Sequence, residues 1–263
     1  MKIVVPVKQV AALDDEFELR DDGRGVDPDF IEWDLNEWDN FSLEAALQIR
    51  DAGEGEGEVI VISVGDEETD EGLRTCLAKG ADRAVRIWDD SLADADALQV
   101  ARALAAAVER EGPDLVLCGV QSSDAVNSAT GIAVAGHLGL PHVAVVKAID
   151  YDDAGGSATV ERELEGGLVE VVRVRTPALL TVQTGINEPR YATLRAIKQA
   201  KDKPLDVVEP GDLGVDANAL AGAAGSRVRS LGHPEKGEGA QILEGGPSDV
   251  AAKIADLVKE KVG

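Results

Sequence analysis

Leu115-Val-Leu-Cys118, continuing as Gly119-Val-Gln-Ser-Ser-Asp-Ala-Val-Asn-Ser-Ala-Thr-Gly131, joins a short apolar run to a loop of small and polar residues. A helical pattern then extends from about Ser128 to Leu138. An unbroken apolar run of this length reads as a strand buried on both faces. Just before it, Asp96 to Glu111 sets Leu98, Ala101, Leu104 (or Ala105) and Val108 on one side of an amphipathic helix, which Gly112-Pro113 ends. The same alternation recurs upstream. Ile3-Val-Val-Pro-Val7 is a buried strand, and Asn36 opens a helix from about Trp38 to Ile49 with Phe41, Ala45 and Ile49 at helical spacing. Val59-Ile-Val-Ile62, a helix over Gly72 to Ala78 and a strand over Ala84 to Trp88 follow. Phe17 to Val26 reads as a hairpin turning at Asp21-Asp-Gly23, and the Gly/Glu run 53–58 breaks the first helix. Strands alternating with helices predict an α/β fold, a doubly wound, mostly parallel, Rossmann-like sheet.

Beyond residue 141 the pattern changes. His142 to Tyr151, Ala158 to Leu164, Leu168 to Val174 and Leu179 to Gln183 read as successive strands, with turns at Asp153-Ala-Gly-Gly156 and Glu165-Gly-Gly167. This predicts an antiparallel meander over 142–183 added to the α/β core. Residues 217–246 are rich in Gly, Ala and Ser and lack periodicity, so they read as an arm. Pro247 to Val262 is a final amphipathic helix with Val250, Ile254, Leu257 and Val258 on one face. The expected division is a domain over 1–216 and an arm plus helix over 217–263, packing on the core or on another subunit.

The chain has 263 residues, 26 Lys+Arg and 50 Asp+Glu, for a net charge of −24. Such acidity argues against nucleic acid or an anionic membrane as a partner. With 44% hydrophobic residues the acid marks no disorder; it reads as a solvated surface suited to high salt. No apolar run is long enough to span a bilayer, and the pattern of a signal peptide is missing, so a soluble cytoplasmic protein is expected. Cys76 and Cys118 form no disulfide or zinc pattern and read as small core residues. His137 and His142 flank Leu140-Pro141 and read as structural; with His233 they make three histidines, too few to place a triad or metal cluster. No catalytic residue and no metal site is expected.

In a doubly wound sheet, ligands bind at the carboxyl ends of strands where the strand order reverses. Three loops lie there: Pro6-Val7-Lys8, Asn36 to Asp39, and Gly119 to Gly131. The backbone amides and hydroxyls of the third could cradle a phosphate at a helix N-terminus. The alternative is an ordinary loop whose Ser and Asn residues cap a helix. The loop matches neither the Gly-x-Gly-x-x-Gly nor the Walker fingerprint.

One segment runs against the prevailing charge. In Asn187-Glu-Pro-Arg-Tyr-Ala-Thr-Leu-Arg-Ala-Ile-Lys-Gln-Ala-Lys-Asp-Lys-Pro204, Arg190, Arg195, Lys198, Lys201 and Lys203 face only Glu188 and Asp202. These cations surround Leu194 and Ile197. A basic island in an acidic chain reads as a docking surface; the alternative is a surface helix from about Ala192 whose Leu194 and Ile197 pack inward.

This island resembles the recognition loop of the electron transfer flavoprotein (ETF) β subunit. Lys2-Ile-Val-Val-Pro-Val-Lys-Gln-Val10, Lys79-Gly-Ala-Asp-Arg83 and Glu209-Pro-Gly-Asp-Leu-Gly-Val215 also resemble that family, in order, from near residue 2 to near 216. The resemblance implies a heterodimer with an ETF α subunit that carries most of a redox FAD, and an AMP or a second FAD held by this chain. It implies a cofactor site at Pro6, Asn36, Glu37, Trp38, Asp39, Val64, Gly119, Gln121, Ser122, Ser123, Asp124, Asn127, Ser128 and Thr130. The sequence departs from the family at Val126 and Ala129, apolar at polar positions, and at Pro6, often Ala in relatives. Asp90-Ser-Leu-Ala-Asp-Ala-Asp96 loosely matches the acidic turn of electron-bifurcating members, but AMP is the leading expectation. For docking, the resemblance implies Arg190, Tyr191, Leu194, Arg195, Ile197, Lys198 and Lys201, with acyl-CoA or other flavin dehydrogenases as donors and a quinone oxidoreductase of the ETF-linked type as acceptor. The competing expectation is a stand-alone nucleotide-binding regulator or hydrolase of the universal-stress type, which needs neither the meander, the basic loop nor the arm.

Overall fold

The computed structural model describes residues 1–12, 17–53, 57–216, 220, 224–233, 237 and 239–262. Residues 54–56, in the expected helix-breaking run, and parts of the expected arm (217–219, 221–223, 234–236 and 238) lie outside the described residues. In chain order the main elements are β1 (Lys2–Pro6), β2 (Gln9–Ala12), β3 (Glu32–Leu35), α1 (Glu37–Ala52), β4 (Glu58–Val64), α2 (Thr69–Lys79) and β5 (Arg83–Ile87). They continue as α3 (Ala97–Glu111), β6 (Leu115–Gly119), α4 (Thr130–Leu138), β7 (His142–Asp152), β8 (Ser157–Glu163), β9 (Val169–Arg175), β10 (Ala178–Val182), α5 (Leu194–Ala200), β11 (Leu205–Val208) and a C-terminal helix (Pro247–Val262).

Nine of the described strands form one sheet in the order β11-β5-β4-β1-β6-β10-β7-β8-β9. The strands from β11 through β7 pair in parallel. Starting from β1, the chain builds outward to β4 and β5, then crosses to β6 on the other side of β1. The strand order therefore reverses between β1 and β6, where a crevice opens at their carboxyl ends.

Burial explains why the inner strands are almost wholly apolar. Ile3, Val5, Val59, Val61, Leu115, Leu117 and Leu180 point into one core with α1 and α2. Val4, Ile60, Ile62, Val116 and Leu179 point into a second core with α3 and α4. Successive side chains alternate between faces, so a strand covered on both sides has no polar phase. On α1 the buried stripe centres on Leu43, Ala46 and Leu47, with Phe41 and Ile49 only partly covered at its margins. On α3, Ala101, Leu104, Ala105 and Val108 are buried as expected, whereas Leu98 is exposed.

The meander requires a correction. β7, β8 and β9 are antiparallel, as expected, but β10 is no fourth meander strand. It returns to the interior and lies parallel between β6 and β7. The physical reason is visible in its residues: Ala178–Val182 is buried throughout, while Val169–Arg175 is mostly exposed. The meander therefore extends the main sheet instead of forming a separate layer. The hairpin at Asp21-Asp-Gly23 is present, closed by a bridge between Leu19 and Val26. The β2–β3 ribbon and the edge strand β11 were not anticipated.

Two substitutions separate interior from edge. Leu180→Ala should lower unfolding stability by about 2–5 kcal/mol, whereas Val171→Ala on β9 should change it by less than about 0.5 kcal/mol; urea denaturation of both variants checks this.

Candidate functional site

The carboxyl ends of β1 and β6 are fastened by one side chain. Asp39, in the first turn of α1, accepts the Lys8 N–H on Oδ2 at 2.8 Å and the Gly119 N–H on Oδ1 at 3.0 Å. It is 6% exposed, and burial pushes its carboxyl up to about 7 against these amides, which pull it down. Gly119 has to approach closely: a Cβ there would lie 2.5 Å from Asp39 Oδ1 and 2.6 Å from Trp38 Cβ. Asn36, immediately before α1, stitches the loop after β6. Its Nδ2 donates to Gln121 O at 2.9 Å and its Oδ1 accepts the Ser123 N–H at 3.2 Å. Lys8 reaches across to Asp124, donating to both carboxylate oxygens at 2.7 Å.

Within this frame lies a cavity of about 330 Å³, at the lower end of the ~300–1,000 Å³ usual for ligand pockets. Of the expected cofactor residues, Pro6, Asn36, Asp39, Val64, Gly119, Gln121, Ser122, Asn127, Ser128 and Thr130 line it. Glu37, Trp38, Ser123 and Asp124 do not. The helix explains the first two: positions 36 and 39 share a face, and 37 and 38 turn away from it. Trp38 Nε1 instead donates to Gln183 Oε1 at 3.0 Å. Asp124 is taken up by Lys8, and burial of its carboxyl is more than offset by that ammonium, which holds it below the usual range.

One end of the cavity offers donors to an anion. α4 begins without a capping side chain, because Ala129 occupies its N-cap position, and Thr130 and Gly131 of its first turn line the cavity. Free first-turn amides and the helix dipole favour a phosphate. The preceding loop is held in a costly conformation, with Val126 at φ 51° and Ser128 at φ 49°. Strain of this kind concentrates at ligand-binding segments. The apolar wall comes from Val7, Val100, Leu104, Cys118, Val134 and Leu179. A third side of the cavity is made by Asp94 to Ala97, where α3 begins, and by Ser226, Arg227 and Val228 of the arm, which sequence reasoning missed. Asp96 caps α3, with Gln99 Oε1 accepting the Asp96 N–H in return, and nothing local in the sequence signals its neighbours in the arm.

A second surface is built on the other helical layer. Arg190 anchors its start, donating to Glu44 from Nε at 2.7 Å and from Nη2 at 3.1 Å, with Asp51 3.2 Å from Nη2. Arg74 and Lys203 close its end by donating to the backbone carbonyls of Ala200, Lys203, Leu77 and Ala81. Between the anchors, Thr193 caps α5 and the chain presents Tyr191 at 95%, Leu194 at 82% and Ile197 at 46% exposure. Leu194 and Ile197 do not pack inward. Arg195, Lys198 and Lys201 lie exposed beside them, without an ion pair among the described residues. Cys76 and Cys118 are buried and unpaired; burial pushes both thiols up. His137 and His142 are exposed.

Comparison with known proteins shows the family. A model of the electron transfer flavoprotein domain matches residues 28–213. The chain is 51% identical to the electron transfer flavoprotein subunit beta of Methylophilus methylotrophus over all of both chains. It is 36% identical to the subunit of that name from Syntrophomonas wolfei, covering 100% of this chain and 97% of the relative. It is 37% identical to the human one over 98% of each.

Arg190→Gln should release the start of the exposed loop. Burial pushes the Glu44 carboxyl up, and its bonds to Arg190 more than offset this, holding it below the usual range. A lowered carboxylate adds stability above its unfolded value, near 4.5, and loses it as pH falls. The variant should therefore be less stable at pH 7 by about 1–3 kcal/mol, with the gap to wild type narrowing below pH 4.5; thermal melts from pH 4 to 8 measure this.

Proposed function

We propose that this chain, which belongs to the electron transfer flavoprotein β-subunit family, forms one half of a cytoplasmic heterodimeric electron carrier with an ETF α subunit. The observation that carries the reading is the cavity at the β1/β6 crevice, where an uncapped helix N-terminus, strained loop backbone and apolar walls converge. It suits an adenosine nucleotide: AMP in a simple carrier, or a second FAD in a bifurcating one, with AMP the better match to its modest volume. Asn36, Ser122, Asn127, Ser128 and Thr130 would bind and orient it, with phosphate toward the first turn of α4.

In this proposal the chain performs no chemistry on an organic substrate. FAD, held mainly by the α subunit, supplies the one- and two-electron chemistry. This chain's own residues bury the nucleotide, exclude water and position partners. Tyr191, Leu194 and Ile197 form the apolar centre of a docking surface, and Arg195, Lys198 and Lys201 form its basic rim. An exposed leucine or tyrosine that fills a partner's pocket is a typical hot spot, and the rim steers partners with acidic faces. Acyl-CoA or related flavin dehydrogenases are the proposed donors, and a quinone oxidoreductase of the ETF-linked type the proposed acceptor. The division at 216/217 enters here as well. The C-terminal helix buries no residue on this chain, so its apolar face, Val250, Ile254, Leu257 and Val258, is available to the α subunit. Among the described residues no helix is long and apolar enough to cross a membrane.

Two measurements test the proposal. Co-expression with the α subunit, denaturation and chromatography should release one FAD and one AMP per heterodimer; two FAD would identify a bifurcating protein, and no flavin would sink the heterodimer reading. Leu194→Ala should leave that nucleotide content unchanged while slowing flavin reduction by an acyl-CoA dehydrogenase about tenfold or more. Unchanged reduction kinetics would remove Leu194 from the docking surface.

A further inference from the structure

The C-terminal arm crosses the nucleotide cavity, and Asp96 pins it there. One carboxylate does two things. Its Oδ1 caps α3, accepting the N–H groups of Leu98 and Gln99 at 3.0 Å. Its Oδ2 accepts the N–H of Gly225 at 2.6 Å and of Ser226 at 2.7 Å. Burial pushes this carboxyl up, but the four amides outweigh it and hold it below the usual range. Gly225 passes so close that a Cβ would sit 2.8 Å from Leu98 Cδ1. On one side of the pin, buried Leu220 accepts a bond from Gln99 Nε2 at 3.1 Å. On the other, the Leu231 N–H donates to Gly23 O at 2.7 Å, and the His233 ring lies 4.9 Å from that of Phe17. Residues 224–233 of the arm therefore run as a strap from Asp96 at the start of α3, past the cavity, to the Leu19–Val26 hairpin.

The strap brings a charge with it. Two cations line the described cavity, Lys8 and Arg227. Lys8 is held by Asp124 at 2.7 Å. Arg227 has no acidic partner among the described residues, in a chain with 50 acids and 26 bases. Asp39, Asp94 and Asp96 line the same cavity, so a phosphate entering it needs compensation beyond the dipole of α4.

We propose that Arg227, carried over the cavity by the strap that Asp96 pins, is the cation for the phosphate of the bound adenosine nucleotide. The assignment rests on the nucleotide reading above and adds a ligand-binding residue outside the β1, α1 and β6 loops. A guanidinium on one side and helix amides on the other would hold phosphate oxygens through charge-assisted bonds.

The test is titration calorimetry on the full-length chain, recovered with its partner subunit and stripped of nucleotide, using AMP, adenosine and FAD. Arg227→Gln should weaken AMP binding about 10- to 100-fold and leave adenosine, which lacks the phosphate, unchanged. Asp96→Asn should weaken AMP binding as well without a large loss of thermal stability. Asparagine caps a helix as well as aspartate, but its amide in place of Oδ2 meets two N–H donors and releases the strap. If FAD is the ligand instead, its affinity falls in Arg227→Gln and that of AMP does not. Undiminished binding of both phosphates, or an equal loss of AMP and adenosine, overturns the assignment; unaltered AMP and FAD binding in Asp96→Asn overturns the pin. A wild-type chain that binds neither nucleotide overturns the nucleotide reading itself.

Discussion

The carboxylate of Asp39 is the constraint on which the site depends. It joins the first turn of α1 to the end of β1 and to the end of β6, the two strands between which the sheet changes direction. Parallel strands diverge where their hydrogen bonding stops, and β1 and β6 are paired only over Ile3–Leu115 and Val4–Val116. Without a bridge, nothing in the sheet itself would fix the gap between their far ends. A buried acid with two backbone donors is costly to place and correspondingly specific in geometry. The absence of a side chain at Gly119 and the Asn36 bonds to the loop both follow from that position.

The same economy governs the cations. In a chain of net charge −24, basic side chains can be expected to find acids, and many do: Arg83 pairs with Glu58 and Glu111, Arg86 with Asp70, and Arg50 with Asp82. The basic island divides into two groups. Arg190 and Lys203 serve the fold, tying the loop to α1 and α2, and so rigidify the segment between them. Arg195, Lys198 and Lys201 lie over that braced backbone without an ion pair among the described residues. A loop held at both ends presents its exposed apolar side chains with little ordering left to do on contact, which favours tight association.

Much of the fold was legible because its inner strands leave no doubt of phase. Val59–Ile62 and Leu115–Cys118 are apolar at every position, which only burial on both faces explains. Ala178–Val182 is buried as fully, but Thr181 interrupts its apolar run, and its place directly after β9 in the chain makes it read as one more meander strand. The short strands β2 and β11 carry mixed burial and too few residues for a period to emerge. At the site, the loops after β1 and β6 could be read from their place after buried strands. Which residues of 36–39 face the cavity is a matter of helical phase. That Asp96 meets Gly225 and Ser226 could not be read from sequence, since their neighbourhood depends on the chain returning more than a hundred residues later.

The outermost strand of the sheet has a practical side. β9 has β8 on one flank and no described strand on the other, and it exposes Val169 at 43% and Val171 at 64% beside Leu164 and Leu168. An open edge with apolar side chains is a template for a second strand, and Glu170, Arg173 and Arg175 only partly blunt it. At low ionic strength the large like charge on every molecule keeps copies apart. Salt shortens the reach of that repulsion to about 8–10 Å and lets edges meet. For a chain handled without its natural companion, concentrated salt would then promote clumping, even though its acidic composition resembles that of proteins that tolerate brine.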